Sequence, residues 1–411
     1  MEIFESCYRF QDHTLIKASG LYPYFRVLDG SEGPTVSVEG QRKIMLGSNN
    51  YLGLTHHPDV RRAAREAIDR YGTSCTGSRL LNGNLDLHEA LEHKLAQHVG
   101  KPSALVFASG FLANMGTVAE LCASKESVVF SARDNHASLI EGTRVGKGRV
   151  VIYDSLDDLE RRLSAEPHWP NALVVTDAVF SMTGRVADLR RLTHLRQRFG
   201  FRAYIDDAHG IGVLGKHGAG SAAAAGVSDG IDLIFGTFSK ALASMGGFVA
   251  GESAVIDYLR HKARTLIFSA ALTPSATAAA LAALRVMQSD QSLFDRLWNN
   301  VAFFKRGVED IGFFTMGSVT PIIPLFIGSE SLAFRVCKQA LDQGVFTTPV
   351  VYPAVPLGQA LIRTSIMPSH QQQHLEQALD VFDQIARQLP IPKGIREDSL
   401  PHAHEMDFSY L

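Results

Sequence analysis

The sequence predicts an α/β fold in which a mostly parallel sheet is covered by helices on both faces. Two observations predict it. Short apolar runs of strand length alternate with helical stretches up to about residue 290. Chemically reactive or polar residues also follow several of these runs, at the strand ends where open α/β sheets bind ligands. We therefore expect one large domain built around a ligand site, followed by a smaller one.

The first helices follow from apolar periodicity and from the residues at their ends. A helix is predicted over residues 57–71, because its apolar side chains recur at helical spacing and Gly72 follows them. A second helix is predicted to begin at Asp86, with Glu89 three residues on in the pattern of a capping box, and to end at Gly100.

Five apolar runs are predicted to be buried strands: residues 104–107, 127–130, 173–176, 203–205 and 233–235. The residues at or just after their carboxyl ends are mostly ones that do chemistry: Gly110, His136, Asp177, Asp206 and Lys240. Because the carboxyl ends of parallel strands share one edge of the sheet, these residues are predicted to meet there.

Near residue 290 the sequence changes to a small α+β unit. It contains a predicted strand at 322–326 and a last helix over 370–389, with Ser369 as its cap and Pro390 as its stop. We therefore divide the chain into an N-terminal segment, a large domain, a small C-terminal domain and a polar tail without fixed structure: residues 1–45, 46–288, 289–390 and 391–411.

Composition excludes several classes of protein. The chain has 40 basic and 42 acidic residues and a net charge of −2, which suits neither nucleic acid nor a membrane surface. Its four cysteines are scattered, so we expect no disulfide framework and no zinc or other metal site. The start has no signal-peptide pattern, and no apolar run reaches the ~18 residues of a membrane span. We expect a cytoplasmic protein.

Lys240 is the most informative residue of the chain. It follows an apolar run and stands among small and hydroxyl residues, in the sequence IFGTFSKAL at 234–242. An isolated ammonium there is costly to desolvate, unless the amine forms a Schiff base with an aldehyde. Pyridoxal phosphate (PLP) is the aldehyde cofactor that does this, and the hydroxyls of Thr237 and Ser239 would donate to its phosphate.

Three further residues suit the same cofactor. Asp206 ends a predicted strand and can pair with the protonated pyridine nitrogen, which keeps the ring able to accept negative charge. His209 can bond the phenolic oxygen of the ring, and His136 can stack on it. Asp207 points to the opposite face of its strand from Asp206, so we assign it no catalytic task.

A rival interpretation comes from Gly210, Gly212 and Gly215, whose spacing fits the dinucleotide-binding fingerprint of a nicotinamide or flavin oxidoreductase. That fingerprint needs a helix that opens directly at the glycines, whereas the sequence KHGAG at 216–220 is typical of a loop. We therefore interpret these glycines as turn residues.

Taken together, the motifs resemble those of the α-oxoamine synthases, a family of PLP enzymes. The resemblance runs from about residue 21 to about residue 389 and is strongest with bacterial soluble serine palmitoyltransferases. It is carried by SNNYLG at 48–53, TGSRLLNG at 76–83, SGFLAN at 109–114, NHAS at 135–138, DDAH at 206–209, GTFSK at 236–240 and Ile362-Arg363. It implies PLP fold type I, the aspartate aminotransferase-like fold, and a homodimer with active sites built between the subunits.

The resemblance also implies roles for individual residues. Lys240 is expected to carry the cofactor and to act as the base, with His136 beside it. Arg363 and Asn49 are expected to hold the carboxylate of an amino acid. The expected cofactor contacts beyond Lys240, Asp206, His209 and His136 are Ser109, Gly110, Phe111, Ser181, Thr237, Ser239 and, from the second subunit, Ser269.

The implied reaction is the decarboxylative condensation of an amino acid with an acyl thioester, which gives a 2-amino ketone. Ser239 and Ser78 follow the serine palmitoyltransferase pattern, which favours L-serine and a long-chain acyl-CoA, with a 3-ketosphinganine-like product. The chain departs from that pattern at 153–155 and 348–349.

Other assignments stay open. One is glycine or alanine as the amino acid, with an acyl-CoA or an acyl-carrier-protein thioester, as in secondary metabolism or in 8-amino-7-oxononanoate or 2-amino-3-ketobutyrate formation. Another is a non-catalytic partner subunit of such an enzyme. Partner subunits lack the Schiff-base lysine, so Lys240 argues against that class.

Overall fold

The computed structural model describes residues 2–395, so most of the tail predicted at 391–411 lies outside the described residues. The strands within this range are β1 Gly30–Ser31, β2 Thr35–Val38, β3 Gln41–Met45, β4 Ser103–Phe107, β5 Val128–Ala132, β6 Arg149–Tyr153, β7 Ala172–Asp177, β8 Arg202–Asp206, β9 Leu233–Thr237, β10 Gly247–Gly251, β11 Ile322–Gly328, β12 Val345–Phe346, β13 Thr348–Val350 and β14 Ala360–Ser365.

The helices of the same range are α1 Glu5–Arg9, α2 Asp12–Ala18, α3 Pro58–Tyr71, α4 Asp86–Val99, α5 Gly110–Leu121, α6 Ala137–Val145, α7 Leu156–Leu163, α8 Leu189–Phe199, α9 Ser221–Ala225, α10 Ser253–Lys262, α11 Arg264–Ile267, α12 Pro274–Ser289, α13 Ser292–Ile311, α14 Glu330–Asp342 and α15 Gln372–Gln388. Among the described residues, no helix combines the length and apolarity that a membrane crossing requires.

The central sheet has the strand order β4-β10-β9-β8-β7-β5-β6 within the described chain. The strands from β9 to β6 run parallel, and β10 lies antiparallel between β4 and β9. All five predicted strands are present as β4, β5, β7, β8 and β9, so the predicted α/β class is confirmed. The sequence did not predict β10, because its two terminal glycines disfavour a strand, nor the edge strand β6.

The N-terminal caps of two helices differ from the prediction. Helix α4 begins at Asp86 as predicted, but the capping box is wrong: the Leu85 N–H donates to Nδ1 of His88 at 3.1 Å, while the Asp86 carboxylate accepts from the Tyr71 hydroxyl at 2.6 Å. The last helix begins at Gln372, after Gln371 and not after Ser369. The hydroxyl of Ser369 is buried without a hydrogen-bond partner within residues 2–395.

The C-terminal unit is joined to the start of the chain. Strands β11, β14 and β13 form an antiparallel sheet, against which α14 packs. Strand β12 leaves this unit and pairs in parallel with β3, with Val345 opposite Ile44. The Leu46 carbonyl then accepts from the N–H of Ser365 at 2.7 Å. These bonds place the loop at 48–53 beside β14.

A buried ion pair fixes the motif at 76–83. Arg79 donates to the Glu92 carboxylate on α4 at 2.9 Å, and both side chains are about as buried as the core, at 5% and 6% exposure. Glu92 also accepts from the Val106 N–H of β4 at 2.8 Å and from Arg260 of α10 at 3.0 Å. One carboxylate therefore connects the motif, two helices and the central sheet.

Replacing Glu92 with alanine should destabilise the fold by about 3–5 kcal/mol, because it leaves the Arg79 guanidinium buried without its carboxylate. Thermal and urea unfolding measure the change. The matched control is Glu66→Ala, which removes an exposed carboxylate 3.7 Å from Arg62 and should leave the unfolding midpoint nearly unchanged. Equal midpoints for the two variants would contradict a structural role for the Glu92 pair.

Candidate active site

A cavity of about 190 Å³ opens at the carboxyl edge of the central sheet. Most of the residues predicted to contact a cofactor line it: Ser109, Gly110, Phe111, His136, Asp206, His209, Thr237, Ser239 and Lys240. Asn114, Ser138 and Asp177 line it as well. The alternation of strands and helices brings together residues that are as far apart in the chain as Ser109 and Lys240.

Several of these residues stand at the end of a strand or at the start of a helix. Asp177 and Asp206 are the last residues of β7 and β8, and Thr237 is the last residue of β9. Helix α5 begins at the cavity with Gly110, and His136 is the N-cap of α6. The site is therefore an edge of the sheet at which strands end and helices begin.

Lys240 carries the central charge of the cavity. Burial lowers the pKa of its ammonium, the Asp206 carboxylate opposes this, Arg363 adds to it and Asp177 opposes it, and the net pKa is about 8. About a tenth of the amine is therefore unprotonated at pH 7, against far less for an ordinary lysine, and this is the form that attacks an aldehyde.

Two carboxyl groups lie next to each other below this amine. Asp177 and Asp206 are partners in the β7–β8 register, and both line the cavity. Asp206 accepts from Nδ2 of Asn114 at 2.6 Å and from the N–H of Ala208 at 3.0 Å. Burial and the neighbouring Asp206 raise the pKa of Asp177 well above its usual range. Asp177 therefore holds its proton far more tightly than an ordinary aspartate.

The N-terminus of α5 forms the opposite wall. The first N–H groups of a helix have no intrahelical partner and favour an anion. A Cβ atom on Gly110 would lie 3.0 Å from Oγ1 of Thr237, so only glycine lets the helix approach this closely. The Ser239 hydroxyl lies 2.9 Å from that of Thr237, which adds hydroxyl donors beside the helix end.

These groups fit PLP one by one. The amine of Lys240 matches its aldehyde, the carboxylate of Asp206 matches its pyridine nitrogen, and the α5 N-terminus with Thr237 and Ser239 matches its phosphate. Burial and the charge of Lys240 lower the pKa of His136, although Asp206 opposes them, so that imidazole is largely neutral at pH 7.

A second cluster adjoins the cavity around Arg363, which is buried on β14. Its guanidinium donates to the hydroxyl of Tyr51 at 3.0 Å and to the carbonyl of Ser181 at 2.7 Å. The Tyr51 hydroxyl lies 2.7 Å from Nδ1 of His209 and 3.1 Å from Oδ1 of Asn49. Thus Arg363, Asn49 and Ser181 do not line the cavity, but Tyr51 connects Arg363 and Asn49 to His209, which does.

Burial and the charges of Lys240 and Arg363 lower the pKa of His209 well below its usual value. This imidazole is therefore neutral. Tyr51 lies within the motif at 48–53, but its role was not predicted from the sequence. A tyrosine among asparagines was the available signal, since a buried phenol needs a polar partner for its hydroxyl.

Ser78 and Ser269 also lie outside the lining of the cavity of their own chain. The Ser78 hydroxyl is buried without a hydrogen-bond partner in the described part of the chain. Ser269 lies two residues before Ala271, whose N–H donates to the carbonyl of Gly77 at 2.9 Å. The segments that carry Ser78 and Ser269 therefore lie against each other, outside the lining of the Lys240 cavity.

The glycines at 210–215 are turn residues, as predicted. Gly212 and Gly215 have φ values of 77° and 76°, and a 3₁₀ turn, Lys216–Gly218, follows them where the dinucleotide fingerprint needs an α-helix. The adjacent Asp207 accepts from the N–H of Ser221 at 2.7 Å and so anchors this loop.

The sequence pattern of the family described as "aminotransferase class I and II" matches residues 41–382. The chain belongs to this family. It is 45% identical over 384 residues to a serine palmitoyltransferase of Bacteriovorax stolpii, an alignment that covers 93% of this chain and 91% of the relative. It is 39% identical over 379 residues to an 8-amino-7-oxononanoate synthase of Thermoanaerobacter pseudethanolicus, covering 92% of this chain and 96% of that one.

Among solved structures, the chain resembles a serine palmitoyltransferase variant from S. paucimobilis with a bound PLP–myriocin aldimine. The TM-score is 0.89 at 31% identity, and the match covers 94% of this chain and 98% of that one. The predicted fold type is thereby confirmed, as is the resemblance to α-oxoamine synthases.

The lowered pKa of Lys240 has a measurable consequence. In protein freed of cofactor, reductive methylation of Lys240 should accelerate about tenfold per pH unit up to pH 8 and then level off, because the neutral amine is the nucleophile. Peptide mapping gives the rate, and N-acetyl-lysine, with its ordinary pKa of ~10.4, is the reference. A methylation rate of Lys240 that still rises between pH 8 and pH 10 would show that the pKa of this amine is not lowered.

Proposed function

We propose that this protein is a PLP-dependent acyltransferase of the α-oxoamine synthase type, which joins L-serine to a long-chain acyl-CoA. The observation that carries the proposal is the cavity in which the Lys240 amine, with its pKa of about 8, faces the Asp206 carboxylate and the N-terminus of α5. The similarity to serine palmitoyltransferases, at 42–45% identity over more than nine tenths of this chain, supports the choice of substrates.

PLP, when bound, supplies an aldehyde for the Lys240 amine and a ring that accepts negative charge from the carbon next to the bound nitrogen. The residues that would hold the group are those of the cavity. Asp206 would keep the pyridine nitrogen protonated, while Gly110, Phe111, Ser109, Thr237 and Ser239 would bind the phosphate. His136 would stack on the ring and His209 would bond its phenolic oxygen, with the Ser181 hydroxyl as the further contact that the family resemblance implies.

The reaction requires a proton to leave Cα of serine, and the neutral amine of Lys240 is the base that accepts it. A bond then forms between Cα and the thioester carbonyl carbon, and the CoA thiolate leaves and takes up a proton. The serine carboxylate departs as CO₂, and Cα regains a proton. Arg363, with Asn49, binds the carboxylate through its two-pronged guanidinium, and the neutral His136 donates to it.

A second candidate is an 8-amino-7-oxononanoate synthase-like enzyme that uses alanine or glycine, with an acyl-CoA or an acyl-carrier-protein thioester. Four of the eight relatives considered carry that name, at 38–42% identity. The two candidates share every step on Lys240 and differ only in the amino acid and the acyl donor, so direct turnover separates them.

We also propose that the protein is a cytoplasmic homodimer. The support is that the segments of Ser78 and Ser269 lie against each other outside the lining of their own Lys240 cavity, which agrees with the contact to a second subunit that the family resemblance implies for Ser269. Large apolar side chains near these residues are exposed in the single chain, with Leu81 at 81% and Phe268 at 73%. A second subunit would cover such a surface.

The test of the cofactor assignment is the Lys240→Ala variant. The wild type should bind PLP with a visible absorption band that borohydride reduces, and the reduced adduct should map to Lys240. The variant should lose that reducible band. Lys43→Ala is the matched control, because Lys43 is another buried lysine, at 6% exposure, outside the cavity. An adduct on any other lysine would overturn the assignment.

Turnover decides the substrate. CoA release should be fastest with L-serine and long-chain acyl-CoA when serine, glycine, alanine and threonine are each tested against short and long donors. The preference should be graded, since one methyl or methylene group is worth only ~1–3 kcal/mol. Lys240→Ala provides the background rate. The serine assignment fails if glycine or alanine exceeds serine tenfold in kcat/KM with every donor, whereas the enzyme class would stand.

A further inference from the structure

The side-chain amide of Asn114 is buried at the cavity and hydrogen-bonds to two residues that line it, Asp206 and Ser138. Asn114, on the first turns of α5, is 1% exposed. Its Nδ2 donates to Oδ2 of Asp206 at 2.6 Å and to Oγ of Ser138 at 2.9 Å. Its Oδ1 accepts from the hydroxyl of Tyr204 at 2.6 Å. Every hydrogen-bonding group of this amide therefore has a partner.

These partners allow one orientation of the amide. An amide oxygen accepts only, so the Tyr204 hydroxyl must donate to it. The reversed amide would place Oδ1 against the Asp206 carboxylate, two acceptors in contact, and leave its own N–H groups against the tyrosine. Tyr204 and Asp206 lie two residues apart on β8, hence on the same face of the sheet. Strand β8 thus supplies both Tyr204, whose hydroxyl orients the amide, and Asp206, whose carboxylate the amide holds.

The same geometry sets the state of His136. Because Ser138 Oγ accepts from Asn114, its own proton is free to go to Nδ1 of His136, 2.7 Å away. The N–H of Ser138 also points to this Nδ1, at 3.2 Å. Two donors on Nδ1 leave the proton of a neutral imidazole on Nε2.

We propose that Asn114 is a positioning residue that holds the Asp206 carboxylate in one orientation and, through Ser138, keeps His136 in its Nε2–H tautomer. The proposal rests on the proposed function for the meaning of Asp206 and His136, but the hydrogen-bond state it describes belongs to the protein alone. Oδ2 of the Asp206 carboxylate is then already hydrogen-bonded to the amide. The His136 imidazole carries its proton on Nε2 and can donate a hydrogen bond from there.

The first measurement needs no cofactor. Nitrogen-15 NMR of histidine-labelled, cofactor-free protein reports which ring nitrogen carries the proton, and the His136 signal is the one lost in His136→Gln. The wild type should show His136 protonated on Nε2. Asn114→Ala frees the Ser138 hydroxyl to turn away, so the Nδ1-protonated form should increase. Protonation on Nδ1 in the wild type would overturn the proposal whether or not the protein binds PLP.

The second measurement is the dissociation constant of PLP. Asn114→Ala removes a hydrogen bond to a charged group and should weaken binding about 10- to 100-fold. Asn114→Asp keeps the shape but sets a second carboxylate against Asp206, so it should weaken binding at least as much. Tyr204→Phe keeps the amide but removes the group that orients it, and should have a smaller effect of the same sign.

The control for a merely structural role is Asn300→Ala. Asn300 also donates two hydrogen bonds, to the carbonyls of Met367 and His370 at 3.1 and 2.9 Å, but lies outside the cavity. It should lower the unfolding midpoint and leave PLP binding unchanged. If Asn114→Ala and Tyr204→Phe behave like Asn300→Ala, the positioning role is wrong. A wild type that binds no PLP would instead refute the proposed function, and the NMR result would still judge this inference.

Discussion

The chemistry of the cavity depends on the removal of one amine, that of Lys240, from water. Burial alone would drive the proton off Lys240, and the carboxyl groups of Asp206 and Asp177 limit that effect so that the pKa settles near 8. Burial, and after it the neighbouring Asp206, raises the pKa of Asp177 well above its usual range, so Asp177 keeps its proton. A single balance between burial and charge therefore fixes the protonation state of the base and that of its acidic neighbour.

One antiparallel strand in the mostly parallel central sheet brings the groups of the cavity together. The antiparallel strand β10 lies between β4 and β9, so the helix that follows β4 starts beside the end of β9. Gly247 pairs with both Phe107 and Thr237, and a Cβ on it would lie only 2.8 Å from Cα of Gly110. Contact between two glycines thus brings the positive end of α5 against the hydroxyl-bearing end of β9.

The sequence predicted the parallel core and the residues that line the cavity, because apolar runs and reactive residues at strand ends leave a strong local signal. It missed β10, where glycines required by close packing hide the strand. It also misjudged the caps at Asp86 and Ser369, since the imidazoles of His88 and His374 accept from the N–H groups at the starts of these helices, where the standard pattern has Glu or Gln. The role of Tyr51 depends on His209, 158 residues away, and that of Asn114 on Asp206, 92 residues away, which no local pattern can reveal.

The pairing of β3 with β12 has a mechanical consequence. Backbone bonds attach Leu46 to Phe346, the last residue of β12, and to Ser365, the last residue of the strand that carries Arg363. The polar loop that begins at residue 48 is therefore anchored to the C-terminal unit, although in sequence it stands at the start of the large domain. The hydrogen bonds of the Tyr51 hydroxyl therefore join residues of this loop to Arg363 of the C-terminal unit. The same hydroxyl contacts His209, so it links that unit to the lining of the cavity.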